Sequence, residues 1–206
     1  MGRGVHHDGE GAAEQGKLTS LPGRPSLISS SPNTVLIGRL GGATVGMRQD
    51  RDVAIEVVFR NLEPSDLSDL DWSGGVEHLT AIAEVLPLMV ADEVDYLVGE
   101  LPNGRLVAAG GADLRLSSEA GMLWQLAVHP LLQGLGIGTA LVAALEARLR
   151  ARGRTEARLS VEHDNPDAAR LYRRLGYQEC GSAVESWPVA GGRRYVTVTT
   201  VLRKEL

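Results

Sequence analysis

From about residue 53 onwards, hydrophobic positions follow either the period of a strand or the spacing of a helix. Strands are predicted at residues 53–59, 96–101, 106–114, 123–129, 157–162, 177–186 and 193–202. Helices are predicted to begin near Pro64 and to cover residues 76–92, 139–151 and 166–175. This order predicts an α/β (α+β) fold, in which a mixed, mostly antiparallel sheet of about seven strands carries helices on both faces.

The N-terminal stretch lacks this pattern. Residues 1–50 hold 10 of the 25 glycines, together with many serines and prolines, so they bury too little apolar surface to offset chain entropy. We therefore predict a disordered leader over residues 1–50 and a domain over residues 51–206. Met47 opens the first well-patterned segment, so a second hypothesis is that residues 1–46 are not part of the native protein.

Charge and composition narrow the classes of partner. The formal net charge of −5 argues against a nucleic-acid-binding protein, which needs a basic face. No apolar run reaches the roughly 18 residues of a membrane span, so no membrane partner is expected. The single cysteine, Cys180, excludes an internal disulfide and is interpreted as a small strand residue. A reducing, cytoplasmic location is the resulting expectation.

A glycine-rich turn links the predicted fourth strand, residues 123–129, to the helix that follows. Gly134, Gly136 and Gly138 would let the backbone approach an anion, and the helix N-terminus would add free N–H groups. Gln133 could add its side-chain amide. The dinucleotide fingerprint does not fit, because Leu141 occupies the place of its last glycine, and a P-loop would need a lysine here. The alternative interpretation is a tight turn without a ligand.

Two segments resemble signatures of the GNAT superfamily of N-acetyltransferases. Residues 133–138 (QGLGIG) are similar to its Gln/Arg-x-x-Gly-x-Gly/Ala motif, and residues 126–130 (LAVHP) to its fourth strand. Residues 159–177 (LSVEHDNPDAARLYRRLGY) resemble its second signature at the right distance. The resemblance covers roughly residues 53–206 and identifies that region as an N-acetyltransferase domain.

The resemblance implies acetyl-CoA as co-substrate, with its pyrophosphate on the glycine-rich turn and its pantetheine arm along the fourth strand. In the family the fourth and fifth strands splay apart at a bulge, where the backbone N–H of Leu126 would face the acetyl carbonyl. The residues implied to bind the cofactor are Leu126, Ala127, Val128, Gln133, Gly134, Leu135, Gly136, Ile137, Gly138, Thr139, Asn165, Ala169 and Tyr172.

The second signature implies a catalytic role for Tyr172 as the general acid that protonates the departing thiolate, with Leu126 as the oxyanion donor. Asn165 would hold the pantetheine. Asn165 also precedes Pro166, so it is well placed as a helix N-cap, and both roles are compatible. The alternative for Tyr172 is a packing residue.

The general base stays open. Family members carry a glutamate at positions that align with Met122 or Ser160, and neither residue can accept a proton. The remaining alternatives are an ordered water chain or one of five side chains: Glu162, His163, His129, Glu77 and Asp71. The missing glutamates keep a second hypothesis open, a non-catalytic acyl-CoA-binding sensor or scaffold.

The expected function is therefore acetyl transfer to a primary amine of a small molecule or peptide, by direct attack. The acceptor site of the family corresponds to residues 69–77 and 186–193, where Trp72, Trp187 and nearby acids predict a cationic amine. No zinc-ligand spacing is present, so no metal is expected. Homodimerisation stays open. Candidates for the 3′-phosphate of CoA are Arg148, Arg150, Arg152, Arg173 and Arg174.

Overall fold

The computed structural model describes residues 33–39 and 54–206. Within those ranges eight strands form one sheet. They are β1 (Asn33–Arg39), β2 (Ala54–Asn61), β3 (Val94–Glu100), β4 (Leu106–Asp113), β5 (Ala120–Val128), β6 (Glu156–Glu162), β7 (Gln178–Val189) and β8 (Arg193–Glu205). The helices are α1 (Val76–Ala83), α2 (Val85–Val90), α3 (Ile137–Ala151) and α4 (Pro166–Arg174), with short 3-10 turns at Pro64–Asp69, Asp71–Ser73 and Pro130–Leu132.

The sheet is mixed and mostly antiparallel, which confirms the predicted fold class. The strand order is β1-β2-β3-β4-β5-β6-β8-β7, and β5 and β6 form the parallel pair among the described strands. A parallel pair needs a crossover, and α3 supplies it. The predicted fourth and fifth strands are thus β5 and β6.

Strand β1 was not predicted, and it raises the number of strands from about seven to eight. It pairs antiparallel with β2 at one edge of the sheet and falls inside the stretch predicted to be a disordered leader. The remainder of residues 1–53 lies outside the described residues. The boundary of the leader and the start site at Met47 therefore stay predictions.

The predicted helix over residues 76–92 is divided into two short helices at Glu84. Pro87 explains the break, because its ring has no N–H to donate and clashes with the carbonyl four residues earlier, at Ala83. The chain therefore turns after one short helix and continues in the next.

The two faces of the sheet pack against different helices. One core joins α3 and α4 to the sheet through residues such as Leu97, Leu145 and Leu159, which are at most 1% exposed. The other joins α1 and α2 to the opposite face, where Tyr96 and Ile82 are fully buried. Neighbouring residues of β3 belong to different cores, as the two-residue period of a strand requires. The functional groups described below lie where these layers meet. No helix of the described residues is long and apolar enough to cross a membrane.

Candidate functional site

The glycine-rich turn places backbone N–H groups at the start of α3. Gly134 and Gly136 have φ values of 77° and 88°, a left-handed conformation that glycine adopts without steric cost. Gly136 is the N-cap of α3 and offers no capping side chain. The first N–H groups of α3 therefore have no partner within the helix and are available to an anion.

Gln133 braces this turn. Its Nε2 donates a hydrogen bond to the carbonyl of Val128, 3.2 Å away, so the side chain reaches back to β5 instead of presenting its amide to an anion. In this structure the predicted contribution of Gln133 to anion binding is limited to its backbone N–H.

The strands β5 and β6 diverge beside this turn. Their paired residues end at Leu123 and Leu159, although β5 continues to Val128 and β6 to Glu162. The edge of β5 that faces β6 therefore has no strand partner beyond Leu123 among the described residues. An extended chain can pair with such an edge by adding its own hydrogen-bonding groups.

A β-bulge accompanies this divergence. Gln125 and Leu126 of β5 together lie opposite Gly110 of β4, and Gln125 has a positive φ of 53°. A Cβ atom at Gly110 would lie 2.6 Å from the Leu126 side chain, so any larger residue would force that side chain to move. The bulge re-aims the backbone of Leu126 at the point where the strands separate.

A cavity of about 510 Å³ lies between the end of β5, the glycine turn, α3 and α4. Nine of the residues predicted to bind the cofactor line it: Leu126, Val128, Gln133, Gly134, Gly136, Gly138, Thr139, Asn165 and Tyr172. The other four, which do not line it, are Ala127, Leu135, Ile137 and Ala169. The side chain of Ile137 belongs to the core, where it is 1% exposed.

Seven lining residues lie outside the thirteen predicted to bind the cofactor: Leu132, Leu141, Val142, Asp167, Ala168, Leu171 and Arg174. Arg174 is one of the candidates for the 3′-phosphate of CoA, and helical spacing predicts the place of Ala168. Ala168 lies three residues after Asn165 and four before Tyr172, which puts all three on one face of α4. Ala168, and not Ala169, therefore faces the cavity.

Asn165 caps α4 as the sequence predicted. Its Oδ1 accepts a hydrogen bond from the backbone N–H of Ala168 at 3.1 Å, and Pro166 occupies the first position of the helix. The side-chain amide nitrogen donates to none of the described residues. Capping therefore leaves a hydrogen-bond donor of Asn165 open at the wall of the cavity.

Tyr172 is the buried phenol of the cavity. Its side chain is 8% exposed and lines the cavity with Leu171 and Asn165. Its hydroxyl makes no hydrogen bond to a described residue. Burial raises the pKa of Tyr172 to about 12, so the group stays protonated and remains a donor throughout the neutral range.

The candidate bases differ in what surrounds them. The Nδ1 atom of His129 accepts a hydrogen bond from the backbone N–H of Leu131 at 3.3 Å. This contact implies that Nε2 carries the proton of the neutral ring, so His129 has no open lone pair for a substrate. His163 is exposed, as is Asp71.

Glu162 lies half-buried at the end of β6, where β5 and β6 separate. Burial, and then the neighbouring Asp164, raises the pKa of Glu162, while a 3.5 Å hydrogen bond from the Tyr195 hydroxyl opposes this shift. A carboxylate with a raised pKa accepts a proton more readily, which suits a general base.

Acidic and aromatic side chains lie near Glu162 on the face of the sheet that α1 and α2 cover. Glu162 lies opposite Thr199 in the register, and Glu185 approaches the Thr199 hydroxyl at 3.3 Å. The rings of Trp187 and Tyr195 pack against each other with 5.0 Å between centroids and a tilt of 45°. Carboxylates beside aromatic faces favour a cation.

Four of the five candidate arginines are engaged elsewhere. Arg148 contacts Asn61, and Arg150 contacts Glu146. Arg152 contacts Asp92 and Asp95, and Arg173 contacts Glu179. Arg174 lines the cavity and forms no ion pair with a described residue. No group of His, Cys, Asp and Glu among the described residues has the arrangement of a metal site.

Comparison with known proteins agrees with this arrangement. The profile of the acetyltransferase (GNAT) family matches residues 64–177, more than half of the chain. The protein belongs to the GNAT family of acetyltransferases. An acetyltransferase of Pectobacterium atrosepticum is 38% identical over 85 residues, which cover 40% of this chain and 57% of that relative. The matched region thus spans just over half of the length of this curated relative.

Solved structures share the fold. A spermidine N-acetyltransferase chimera from Vibrio cholerae and hSSAT superposes with a TM-score of 0.59 at 19% identity, over 72% of this chain and 95% of the other. The ribosomal-protein-S18-alanine N-acetyltransferase of Escherichia coli gives a TM-score of 0.56 at 22% identity, over 72% and 93%. At these identities the likeness shows the fold alone.

Proposed function

We propose that this protein transfers an acetyl group from acetyl-CoA to a primary amine of a small molecule or peptide. The observation that carries the proposal is the convergence of three features on one cavity. They are the open N–H groups at the start of α3, the unpaired edge of β5 and the protonated Tyr172.

The residues fit acetyl-CoA as co-substrate. The backbone N–H groups of residues 133–138 would hold the pyrophosphate, and the edge of β5 at Ala127 and Val128 would pair with the amides of the pantetheine arm. Asn165 would donate its free amide N–H to that arm. Arg174 would bind the 3′-phosphate, because it is the cavity-lining arginine without an ion pair to the described residues.

The chemistry is a direct transfer. The amine forms a C–N bond to the acyl carbon, and the C–S bond breaks. The backbone N–H of Leu126 stabilises the negative charge on the carbonyl oxygen, a contribution of about 3 kcal/mol in comparable sites. Tyr172 gives its proton to the departing sulfur.

Glu162 is the base we favour for the proton that leaves the amine, directly or through one water. Its raised pKa and its place at the divergence of β5 and β6 support this choice. His129 is less suited because its Nδ1 is already bonded.

The acceptor we propose is a cationic amine. The support comes from Glu162, Glu185 and the Trp187–Tyr195 pair, which lie on the opposite face of the sheet from α3 and α4. A positive charge there would gain from both the carboxylates and the aromatic faces.

Release of free CoA thiol over a panel of cationic, neutral and anionic amines tests the proposal. Turnover restricted to neutral or anionic amines would contradict the cationic acceptor. Binding of acetyl-CoA without turnover of any amine would favour the sensor or scaffold.

Glu162→Gln tests the base. We expect kcat to fall by roughly 10²–10⁴-fold, since the amide cannot accept a proton. In the wild type the deprotonated carboxylate is the active form, so activity should be lost as pH falls through the raised pKa of Glu162, and this acidic limb should vanish in the variant. Glu156→Gln is the matched control, because Glu156 lies at the other end of the same strand. An unchanged pH profile in Glu162→Gln would contradict Glu162 as the base and would favour an ordered water chain as the path by which the amine loses its proton.

A further inference from the structure

A buried polar network lies behind the cavity and takes no part in the contacts proposed above. The carboxylate of Glu146, on α3, is 4% exposed and accepts hydrogen bonds from the Lys204 ammonium group at 2.8 Å to each oxygen. It also accepts one from the Tyr177 hydroxyl at 3.1 Å. The ammonium group lies 5.5 Å from the centroid of the Tyr177 ring. Lys204 and Glu146 thus hold both the hydroxyl and the face of Tyr177.

Tyr177 is joined to Tyr172 twice. Helix α4 ends with Gly176 in the left-handed conformation, at φ 92°, and the N–H of Tyr177 donates to the carbonyl of Tyr172 at 3.0 Å. This is the 6→1 hydrogen bond of a Schellman motif. The rings of Tyr172 and Tyr177 also pack edge to face, with 6.0 Å between their centroids and an angle of 65° between their planes. Where Tyr177 is fixed, the last turn of α4 and the Tyr172 ring are fixed with it.

Helix α3 joins the same network to the glycine turn. Glu146 lies nine residues after Ile137, the first residue of α3, which corresponds to about 13 Å along one rigid helix. One helix therefore carries both the proposed phosphate-binding N-terminus and the carboxylate that anchors Tyr177.

A contribution to stability does not by itself explain why the charged groups of Glu146 and Lys204 lie in this network. Burying the Glu146 carboxylate, and the Lys204 ammonium group in part, costs desolvation, and well-packed apolar side chains often serve stability equally well. A hydrogen bond to the hydroxyl adds direction, because it fixes where the ring lies and how it is turned. Apolar contacts alone allow a ring to shift.

We propose that Glu146, Lys204 and Tyr177 are positioning residues that hold the Tyr172 hydroxyl at the place where it donates its proton. The inference rests on the proposed role of Tyr172. It predicts that weakening the network impairs the chemical step while acetyl-CoA still binds.

Tyr177→Phe is the deciding variant, because it keeps the ring and the Glu146–Lys204 ion pair and removes one hydrogen bond. We expect kcat to fall roughly ten- to a hundredfold, as small displacements of a catalytic group do, with the acetyl-CoA Kd within about twofold of the wild type. In a Tyr172→Phe background the same change should cause no further fall in kcat, because the positioned hydroxyl is already absent. Glu146→Gln should behave in the same way if it is folded by circular dichroism.

Asp95→Asn is the matched control. Asp95 is also 4% exposed and pairs with Arg152 at 3.0 Å, but it anchors the far end of α3 to β3. The Asp95→Asn variant should have a lower Tm and an unchanged kcat. Independent, additive effects of Tyr177→Phe and Tyr172→Phe would overturn the inference, and so would an equal loss of kcat in Asp95→Asn. If Tyr172→Phe itself turns over at the wild-type rate, the proposed general acid fails, which is a distinguishable result.

Discussion

At the scale of single residues, the environment of a side chain decides its chemistry. Tyr172 and Tyr195 are both phenols, yet Tyr172 is 8% exposed in the cavity wall and Tyr195 is 39% exposed beside Trp187. Burial raises the pKa of Tyr172 to about 12. The phenol that the family motif points to is therefore protonated at every pH at which the protein is normally assayed.

Tyr172→Phe tests this residue directly. The ring and its contact with Tyr177 remain and only the proton donor is lost, so we expect kcat to fall roughly 10²–10⁴-fold while acetyl-CoA affinity stays nearly constant. Steady-state kinetics with calorimetric Kd values measure both. The protonated phenol is the active form, so the alkaline loss of wild-type activity through this group should begin only as pH approaches about 12. A change confined to KM would mean that the hydroxyl serves binding alone.

At the scale of elements, the strand-turn-helix unit of β5 and α3 carries the proposed cofactor site. The left-handed glycines bend the chain so that the helix begins directly after the turn, with its first N–H groups open. A negative side chain placed there would meet the phosphate groups that these N–H groups should bind.

Gly136→Glu should therefore abolish measurable acetyl-CoA binding, with the Kd raised roughly a hundredfold or more, because contacts between like charges cost several kcal/mol. Calorimetry on the folded variant measures this. The same substitution at Gly153 is the matched control, since Gly153 also has a positive φ, 73°, and open space around it, but lies at the other end of α3. Equal affinities in both variants would refute the assignment of the phosphate site.

At the scale of the whole molecule, three buried tyrosines link folding to pH. Burial raises the pKa values of Tyr96, Tyr172 and Tyr177, and the Glu146 carboxylate adds to the effect on Tyr177. The folded protein thus holds these protons more tightly than the unfolded chain. The resulting stability is complete below the unfolded pKa of about 10 and is lost as pH rises through the folded values.

We expect Tm to fall steeply above about pH 10, as followed by circular dichroism during thermal unfolding. Tyr96→Phe should make the fall shallower, because the Tyr96 hydroxyl is buried without a hydrogen bond to a described residue, and its removal takes away a titrating proton but no bond. An identical alkaline slope in wild type and Tyr96→Phe would exclude this tyrosine as a cause.

Local sequence predicted the features that depend on a few neighbouring residues. The order of strands and helices from β2 onwards follows from hydrophobic spacing, and the turn at Gly134 and Gly136 from the freedom of glycine. The cap at Asn165 follows from the Asn-Pro pair. Each of these depends on backbone preferences that act within a turn of the chain. Strand β1 was not predicted, because the glycine-, serine- and proline-rich composition of residues 1–50 outweighed the short apolar run at Val35, Leu36 and Ile37.

Tertiary structure alone decided which residues meet. The sequence offered five arginines for one phosphate, and only packing showed that four have other partners and that Arg174 lines the cavity. The approach of Glu162 and Glu185 to Thr199 depends on the register of three strands. The contact between Glu146 and Lys204 joins residues 58 positions apart. Such contacts depend on how strands and helices far apart in the chain pack together. The spacing of residues along one element carries no information about that packing.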